Sequence, residues 1–286
     1  MKTITFYSYK GGVGRTLALA NIAKRLAEFG KKVCIIDFDL EAPGLHQKFG
    51  ANIKKDIKNG IVDYIYEFSY NNNLPESIKD YTTQVKYNSK NTYDIDLIAA
   101  GKITSRNYWK KLALINWGKL FYEKESQGVA FFIDLKQKIE QELKPDFLLI
   151  DSRAGITDIS GITLSILADE LVLLLTKNDE NIEGIKLVVN TLSSPDNSFN
   201  EGIPKINIVL SRIPYFSKPE DKHKEFNAKK EVLTEINKHL TDNKSNLKIQ
   251  KLFVIHSDTE LELESINNKA LIDADYLALF NEILKN

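Results

Sequence analysis

Residues 6–21 read Phe6-Tyr7-Ser8-Tyr9-Lys10-Gly11-Gly12-Val13-Gly14-Arg15-Thr16-Leu17-Ala18-Leu19-Ala20-Asn21. This is a glycine-rich phosphate loop that departs twice from the common pattern G-x-x-x-x-G-K-[ST]. Lys10 stands at the front of the loop, and Arg15 stands where the phosphate-gripping lysine is expected. The preceding run Thr3-Ile4-Thr5-Phe6-Tyr7 is β-branched and aromatic, as a buried strand should be. After the loop, Leu17, Leu19, Ala20, Ile22, Ala23 and Leu26 recur at helical spacing, and Gly30 reads as the helix stop. Gly11, Gly12 and Gly14 therefore fall at a strand-to-helix turn, where backbone N–H groups can converge on phosphate at the positive end of a helix. Thr16 is placed to offer its hydroxyl to Mg²⁺.

Working outward, Val33-Cys34-Ile35-Ile36-Asp37-Phe38-Asp39 is a second buried strand ending in two carboxylates. In a parallel sheet ligands bind at the carboxyl ends of strands, which puts Asp37 and Asp39 beside the loop. Leu40-Glu41-Ala42-Pro43-Gly44-Leu45 reads as a turn able to shift with nucleotide state. A third strand, Phe147-Leu148-Leu149-Ile150, ends in Asp151 and continues Ser152-Arg153-Ala154-Gly155. One aspartate after a strand is ordinarily a turn former or a helix cap. Three of them at strand ends, in a chain with a phosphate loop, read instead as parts of the nucleotide site.

These segments together resemble the ParA/MinD-type ATPases (SIMIBI class), whose deviant phosphate loop is K-G-G-x-G-K-[ST]. Lys10 to Thr16 matches except at Arg15, Asn21 matches an asparagine of the next helix, and Asp37-Phe38-Asp39 and Asp151 to Gly155 match the later motifs. The pairing of K-G-G-V-G-R with D-S-R-[TA]-G is similar to a KGGVGR-variant subgroup. The resemblance implies ATP and Mg²⁺ as cofactors, a homodimer closed by ATP, and Lys10 crossing to the partner's phosphates. It implies Arg15 at the β/γ-phosphate, Asp39 on the attacking water, and Thr16, Asp37, Asp39 and Asp151 as the Mg²⁺ set, so that Lys10, Arg15 and Asp39 are the expected catalytic groups. The cofactor-binding set is then Lys10, Gly11, Gly12, Val13, Gly14, Arg15, Thr16 and Leu17. Its output would be an unidentified partner protein or a surface.

Replacing lysine by arginine is not conservative, because a planar fork takes the place of a compact point charge. Arg15 can still grip phosphate bidentately; its alternatives are to lie across the mouth of the loop or to reach the facing subunit. Nucleotide binding is expected to survive and hydrolysis to be slow. The base-reading region departs as well. The strand at residues 206–210 leads to Ser211-Arg212-Ile213-Pro214, where the family commonly has Asn-Arg. A serine cannot present an amide's donor and acceptor together, so adenine is expected to be read by Ser211, Arg212, Pro214, His256 and Asp258 chiefly through backbone. Leu17 replaces a second loop threonine.

At 286 residues and 43% hydrophobic the chain can bury a full core. Strand-like runs at 2–7, 33–38, 95–99, 147–151, 171–176, 206–211 and 251–255 alternate with helical stretches. The expectation is one α/β domain over residues 1–286, with a mostly parallel twisted sheet and helices on both faces. A helical insertion before the Asp151 strand, within residues 46–145, carries Tyr108, Trp109, Trp117, Phe121, Tyr122, Phe131 and Phe132. Those aromatics either pack an extra helical layer or form a partner surface. The single cysteine, Cys34, excludes a disulfide framework and a CxxC metal site. It also argues against relatives of the nitrogenase iron protein and of the zinc-sharing tail-anchored-protein targeting ATPases.

Lys+Arg and Asp+Glu both number 39, a balance that gives weak ground for DNA binding. The lysine-rich stretch 218–251 reads as a solvated face, with non-specific DNA kept as an alternative. No 18-residue apolar run exists and strand one starts at once, so membrane insertion is not expected and the cytoplasm is the expected compartment. Residues 271–285 read as an amphipathic helix docked on the body. The rival functions are a non-hydrolysing nucleotide-binding module, a DNA-partition ATPase, and a metabolic ligase related to dethiobiotin synthetase.

Overall fold

The strands are β1 (Lys2–Ser8), β2 (Val33–Asp37), β3 (Thr83–Val85), β4 (Ile95–Ile98), β5 (Phe147–Asp151), β6 (Glu170–Leu175), β7 (Lys205–Ile213) and β8 (Leu252–His256). In this computed structural model, which describes residues 1–53, 56–86, 94–194, 202–214, 222–257 and 274–285, they form one sheet in the order β3-β4-β2-β5-β1-β6-β7-β8. Every pairing is parallel except β3 with β4. The mostly parallel α/β architecture is the one expected from the alternation of apolar runs. The short antiparallel edge strand β3 was not among the seven runs.

Alternation along each strand explains why both faces are dry. Val33 and Ile35 of β2 enter one core with Ile4 and Phe6, while Cys34 and Ile36 enter another with Leu148 and Ile150. The first face is covered by α1 (Arg15–Glu28) and α9 (Ala274–Leu284). The opposite face is split: α2 (Ile61–Ser69), α3 (Arg106–Leu114), α4 (Trp117–Phe121) and α5 (Gly128–Lys138) cover one half. Helices α7 (Asp179–Leu192) and α8 (Lys222–Asp242) cover the other, and α6 (Asp158–Gly161) follows β5. A sheet buried on both sides requires near-continuous apolar strands, which is what β5 and β6 supply.

Helix α1 stops as anticipated: Gly30 takes φ 73° and Lys31 donates to the Leu26 carbonyl at 3.0 Å. Tyr276, Leu279, Phe280 and Ile283 of α9 are buried, so the C-terminal helix is docked on the body; positions 271–273 lie outside the described residues. Cys34 is fully buried, as a small core residue. The insertion aromatics divide: Tyr108, Phe131 and Phe132 are buried, whereas Trp109 and Tyr122 are 55% and 74% exposed. Among the described residues no helix is long and apolar enough to cross a membrane.

Candidate functional site

Strand register builds the site. Asp151 ends β5 opposite Asp37 of β2 on one side and Phe6 of β1 on the other, so the carboxylates sit at adjacent strand ends. The chain then leaves β1 through the glycine loop and enters α1, with Gly14 at the N-cap in the left-handed region, φ 83°. Gly12 is left-handed too, at φ 76°, and a Cβ on Gly11, Gly12 or Gly14 would project into space with no atom within 4 Å. Only glycine turns this way without strain, and it leaves the loop amides uncovered at the positive end of α1.

The loop opens on a cleft of about 630 Å³ lined by Gly11, Gly12, Gly14, Arg15, Thr16, Leu17, Asp39 and Arg212, among others. Beneath it lies a closed charge network. Arg15 Nε donates to Asp151 Oδ1 at 2.6 Å, Arg15 Nη2 to Asp39 Oδ2 at 2.7 Å, and Nη1 to Ser8 Oγ at 3.4 Å. Thr16 Oγ1 donates to the other Asp151 oxygen at 2.6 Å. Burial alone would disfavour the Arg15 charge, but Asp151 and Asp39 more than offset it and hold its pKa above the usual guanidinium value. Burial pushes the Asp151 carboxyl up, with Arg15 and Thr16 pulling the other way.

Asp37 has a different duty. Its Oδ1 accepts the Asp39 N–H at 3.2 Å and its Oδ2 accepts the Leu45 N–H at 3.0 Å. Both ends of the 38–45 turn are thereby tied to one fully buried carboxyl, whose pKa is raised well above the usual range by burial and then by Asp151. From the other side, Tyr108 of the insertion donates its hydroxyl to the Leu40 carbonyl at 2.5 Å. Arg153 pairs with Glu41 across the outer rim of the cleft.

The remaining expected residues scatter. Lys10 is not in its own cleft; it is half exposed and pairs with Glu180 at the start of α7 at 3.2 Å. The Val13 side chain is buried in the core, so it brings only backbone to the loop. Ser211 points into the sheet, where its hydroxyl reaches the Leu175 carbonyl at 3.2 Å. The next residue, Arg212, takes a left-handed φ of 58° where the β7–β8 register shifts, and this kink turns it to the cleft. Pro214 is exposed, His256 Nε2 lies 3.2 Å from Glu225 Oε2, and Asp258 lies outside the described residues.

Sequence reading did not identify Ser8, Gln47 or Lys48 as parts of the site, although all three line the cleft. None belongs to a spaced motif, so only the fold assembles them.

The donor set has the chemistry of a hard-cation site: carboxylate oxygens of Asp39 and Asp151 and a hydroxyl of Thr16. Among the described residues no three His, Cys, Asp or Glu side chains form a closed metal cage. An open set of one or two carboxylates that leaves phosphate oxygens to complete the shell suits Mg²⁺ rather than a stored structural metal. The residues present fit a nucleotide with its metal, with Arg15 already lodged on two of the oxygens.

A family model described as an AAA domain (AAA_31) matches residues 1–208. The septum site-determining protein MinD of Helicobacter pylori is 28% identical over 222 residues, covering 76% of this chain and 67% of that protein. The chain spans half or less of the length of further curated relatives that it matches. The fold is shared with MinD from Pyrococcus horikoshii complexed with Mg-ADP, at TM-score 0.63 and 18% identity, over 99% of this chain and 96% of that one. It is also shared with pNOB8 ParA bound to nonspecific DNA, at TM-score 0.55 and 20% identity, over 86% and 75%. The chain belongs to the AAA_31 family of AAA domains, and its fold is the one seen in MinD and ParA.

Proposed function

We propose that this protein is a nucleotide-dependent dimerisation switch of the ParA/MinD kind, binding ATP with Mg²⁺ and hydrolysing it slowly to release a partner protein or surface. The observation that carries the reading is the meeting of the loop amides of Gly11 to Leu17 with Thr16, Asp39 and Asp151 in one cleft at the start of α1. The loop amides and the start of α1 would hold the phosphates, and Thr16 and Asp151 would hold the metal or its waters. Asp37 acts on the reaction through the turn it ties, by fixing where Asp39 stands. Asp39 orients the attacking water once Arg15 has left it. Mg²⁺, when bound, supplies charge neutralisation of the phosphate oxygens.

Lys10 is the reason for proposing a dimer. A lysine at the front of the loop that points away from its own cleft, paired with an exposed carboxylate and lying over the Tyr9 ring at 5.9 Å, can turn to serve a facing copy. An exposed pair of this kind contributes little and is easily exchanged. The adenine would be read by backbone near Arg212 and Pro214, since the Ser211 hydroxyl is engaged in the sheet. In the KGGVGR reading, Arg15 and Arg153 are subgroup features, each paired with a carboxylate of the 39–41 turn.

Turnover of radiolabelled ATP, with sizing by light scattering, tests the proposal on the wild type, Lys10→Ala and Arg15→Lys. Slow wild-type turnover, an ATP-dependent dimer, and loss of turnover in Lys10→Ala are expected. Unchanged turnover in Lys10→Ala would sink the cross-dimer role, and an ATP-independent monomer with no nucleotide affinity would sink the switch. The second reading, a binding module that does not hydrolyse, is favoured by the burial of Arg15 on the carboxylates, and zero turnover alongside an ATP-dependent dimer would select it. DNA binding that requires ATP and weakens steeply with salt would instead select a partition ATPase.

A further inference from the structure

We propose that Arg15 is the resident cation of the carboxylate floor: its guanidinium and a divalent metal occupy Asp39 and Asp151 in turn, and metal enters only after a polyphosphate has drawn Arg15 away. The inference rests on the nucleotide-and-metal reading of the cleft, and assigns to one residue the order in which those ligands bind.

The geometry is specific. The Nε and Nη2 edge of a guanidinium is the edge that ordinarily grips one carboxylate or one phosphate in a bidentate fashion. Here that edge is divided between carboxylates from two different chain segments, Asp151 at 2.6 Å and Asp39 at 2.7 Å, and the side chain is 8% exposed. Because the fork is rigid, the contacts are kept or lost together. The second Asp151 oxygen is taken by the Thr16 hydroxyl at 2.6 Å. Both Asp151 oxygens and one Asp39 oxygen are therefore bound to donor hydrogens of this chain. A dication placed on these oxygens would lie within a few ångströms of a buried guanidinium, where little water screens the repulsion.

Departure of Arg15 requires another anion within its reach. Arg15 itself lines the cleft together with Gly11, Gly12 and Gly14, so the fork can swing from the floor to a phosphate held by the loop. A di- or triphosphate can then satisfy the guanidinium while leaving Asp39 and Asp151 uncompensated and ready for metal. The ordering follows: polyphosphate first, metal second.

Bound Mn²⁺ read by electron paramagnetic resonance tests this on metal-stripped full-length protein. Without nucleotide, the wild type is expected to bind Mn²⁺ at least tenfold more weakly than Arg15→Gln. With a non-hydrolysable ATP analogue the wild type is expected to gain tight Mn²⁺ binding. Equal Mn²⁺ affinity of wild type and Arg15→Gln without nucleotide would overturn the proposal. The neutral variant leaves two carboxylates without their cation and is at risk of misfolding, so the wild type alone carries a second readout. Its Tm is expected to stay flat with Mn²⁺ alone and to rise with the analogue in EDTA; a rise with Mn²⁺ alone, or analogue binding that needs metal, would overturn the ordering. Failure to bind the analogue under any condition would overturn the nucleotide reading instead, while the Mn²⁺ comparison would still decide whether Arg15 guards the floor.

Discussion

The floor and the rim of the cleft are both built from ion pairs, and they obey different physics. On the floor, Arg15, Asp39, Asp151 and Thr16 form a network in which Asp151 is fully buried and Arg15 nearly so. At the rim, Lys10–Glu180 and Arg153–Glu41 join side chains that are at least one third exposed. A buried charge that loses its partner has no water to fall back on, whereas an exposed one simply rehydrates. On the reading proposed above, the floor stays fixed until a ligand supplies replacement charge, while the rim can be rewired by a facing copy. Two cations five positions apart on one loop thus have opposite fates because their surroundings, and not their charges, differ.

The largest expected effect comes from breaking the floor. Asp151→Ala removes the fully buried one of Arg15's two carboxylate partners, leaving only Asp39, and is expected to lower stability by roughly 3–5 kcal/mol in urea unfolding. A loss no larger than that of a rim substitution would dissolve the distinction between the two regions.

A second cation sharpens it. Lys24 on α1 is 7% exposed and lies over the Phe49 ring at 5.4 Å, with Glu28 as its electrostatic support. Burial lowers its pKa to about 8. Below pH 8 the folded chain must carry this buried charge, and the penalty is relieved as pH rises from about 8 toward the unfolded value near 10.4. Lys24→Met is therefore expected to raise stability at pH 7 by about 1–3 kcal/mol, with the gain shrinking toward pH 10. A destabilised Met variant would mean that the ring and Glu28 hold the ammonium as firmly as two carboxylates hold Arg15.

Between floor and rim stands Tyr108, whose hydroxyl fastens the insertion to the turn bearing Asp39. Tyr108→Phe is expected to cost about 1 kcal/mol in thermal unfolding, the worth of one buried hydrogen bond. An unchanged Tm would detach the insertion from the site. The smallest effect is at the rim: Lys10→Ala is expected to shift stability by less than about 0.5 kcal/mol, with no steeper salt dependence than the wild type.

The floor was legible in sequence because its members follow from strong local rules. Glycines with positive φ mark the loop, and apolar runs that end in aspartate bring Asp37, Asp39 and Asp151 to one edge of a parallel sheet. What each side chain does there was not legible. That Asp37 ties the 38–45 turn, and that Arg15 reaches down to two carboxylates and not across the mouth, depend on atoms placed by packing. Strand β3 escaped notice because three residues with one inward side chain, Val85, carry no periodicity. Ser211 stands in the base-reading region expected to act chiefly through backbone; strand alternation turns its side chain inward, and the kink at Arg212 turns its neighbour out. The insertion aromatics divide between core and surface for the same reason: neighbouring Tyr108 and Trp109 point to different sides of one helix.

Cys34 carries a practical consequence. The one thiol of the chain is sealed between the sheet and its helical cover, and burial raises its pKa well above the ordinary value. Thiol reagents act on the exposed thiolate, so the native protein is silent toward them while folded. A cysteine introduced at an exposed rim position would then be the single labelled point in each copy. One fluorophore or spin label per chain would then test the proposed dimer without background, through the distance between two labels with and without nucleotide.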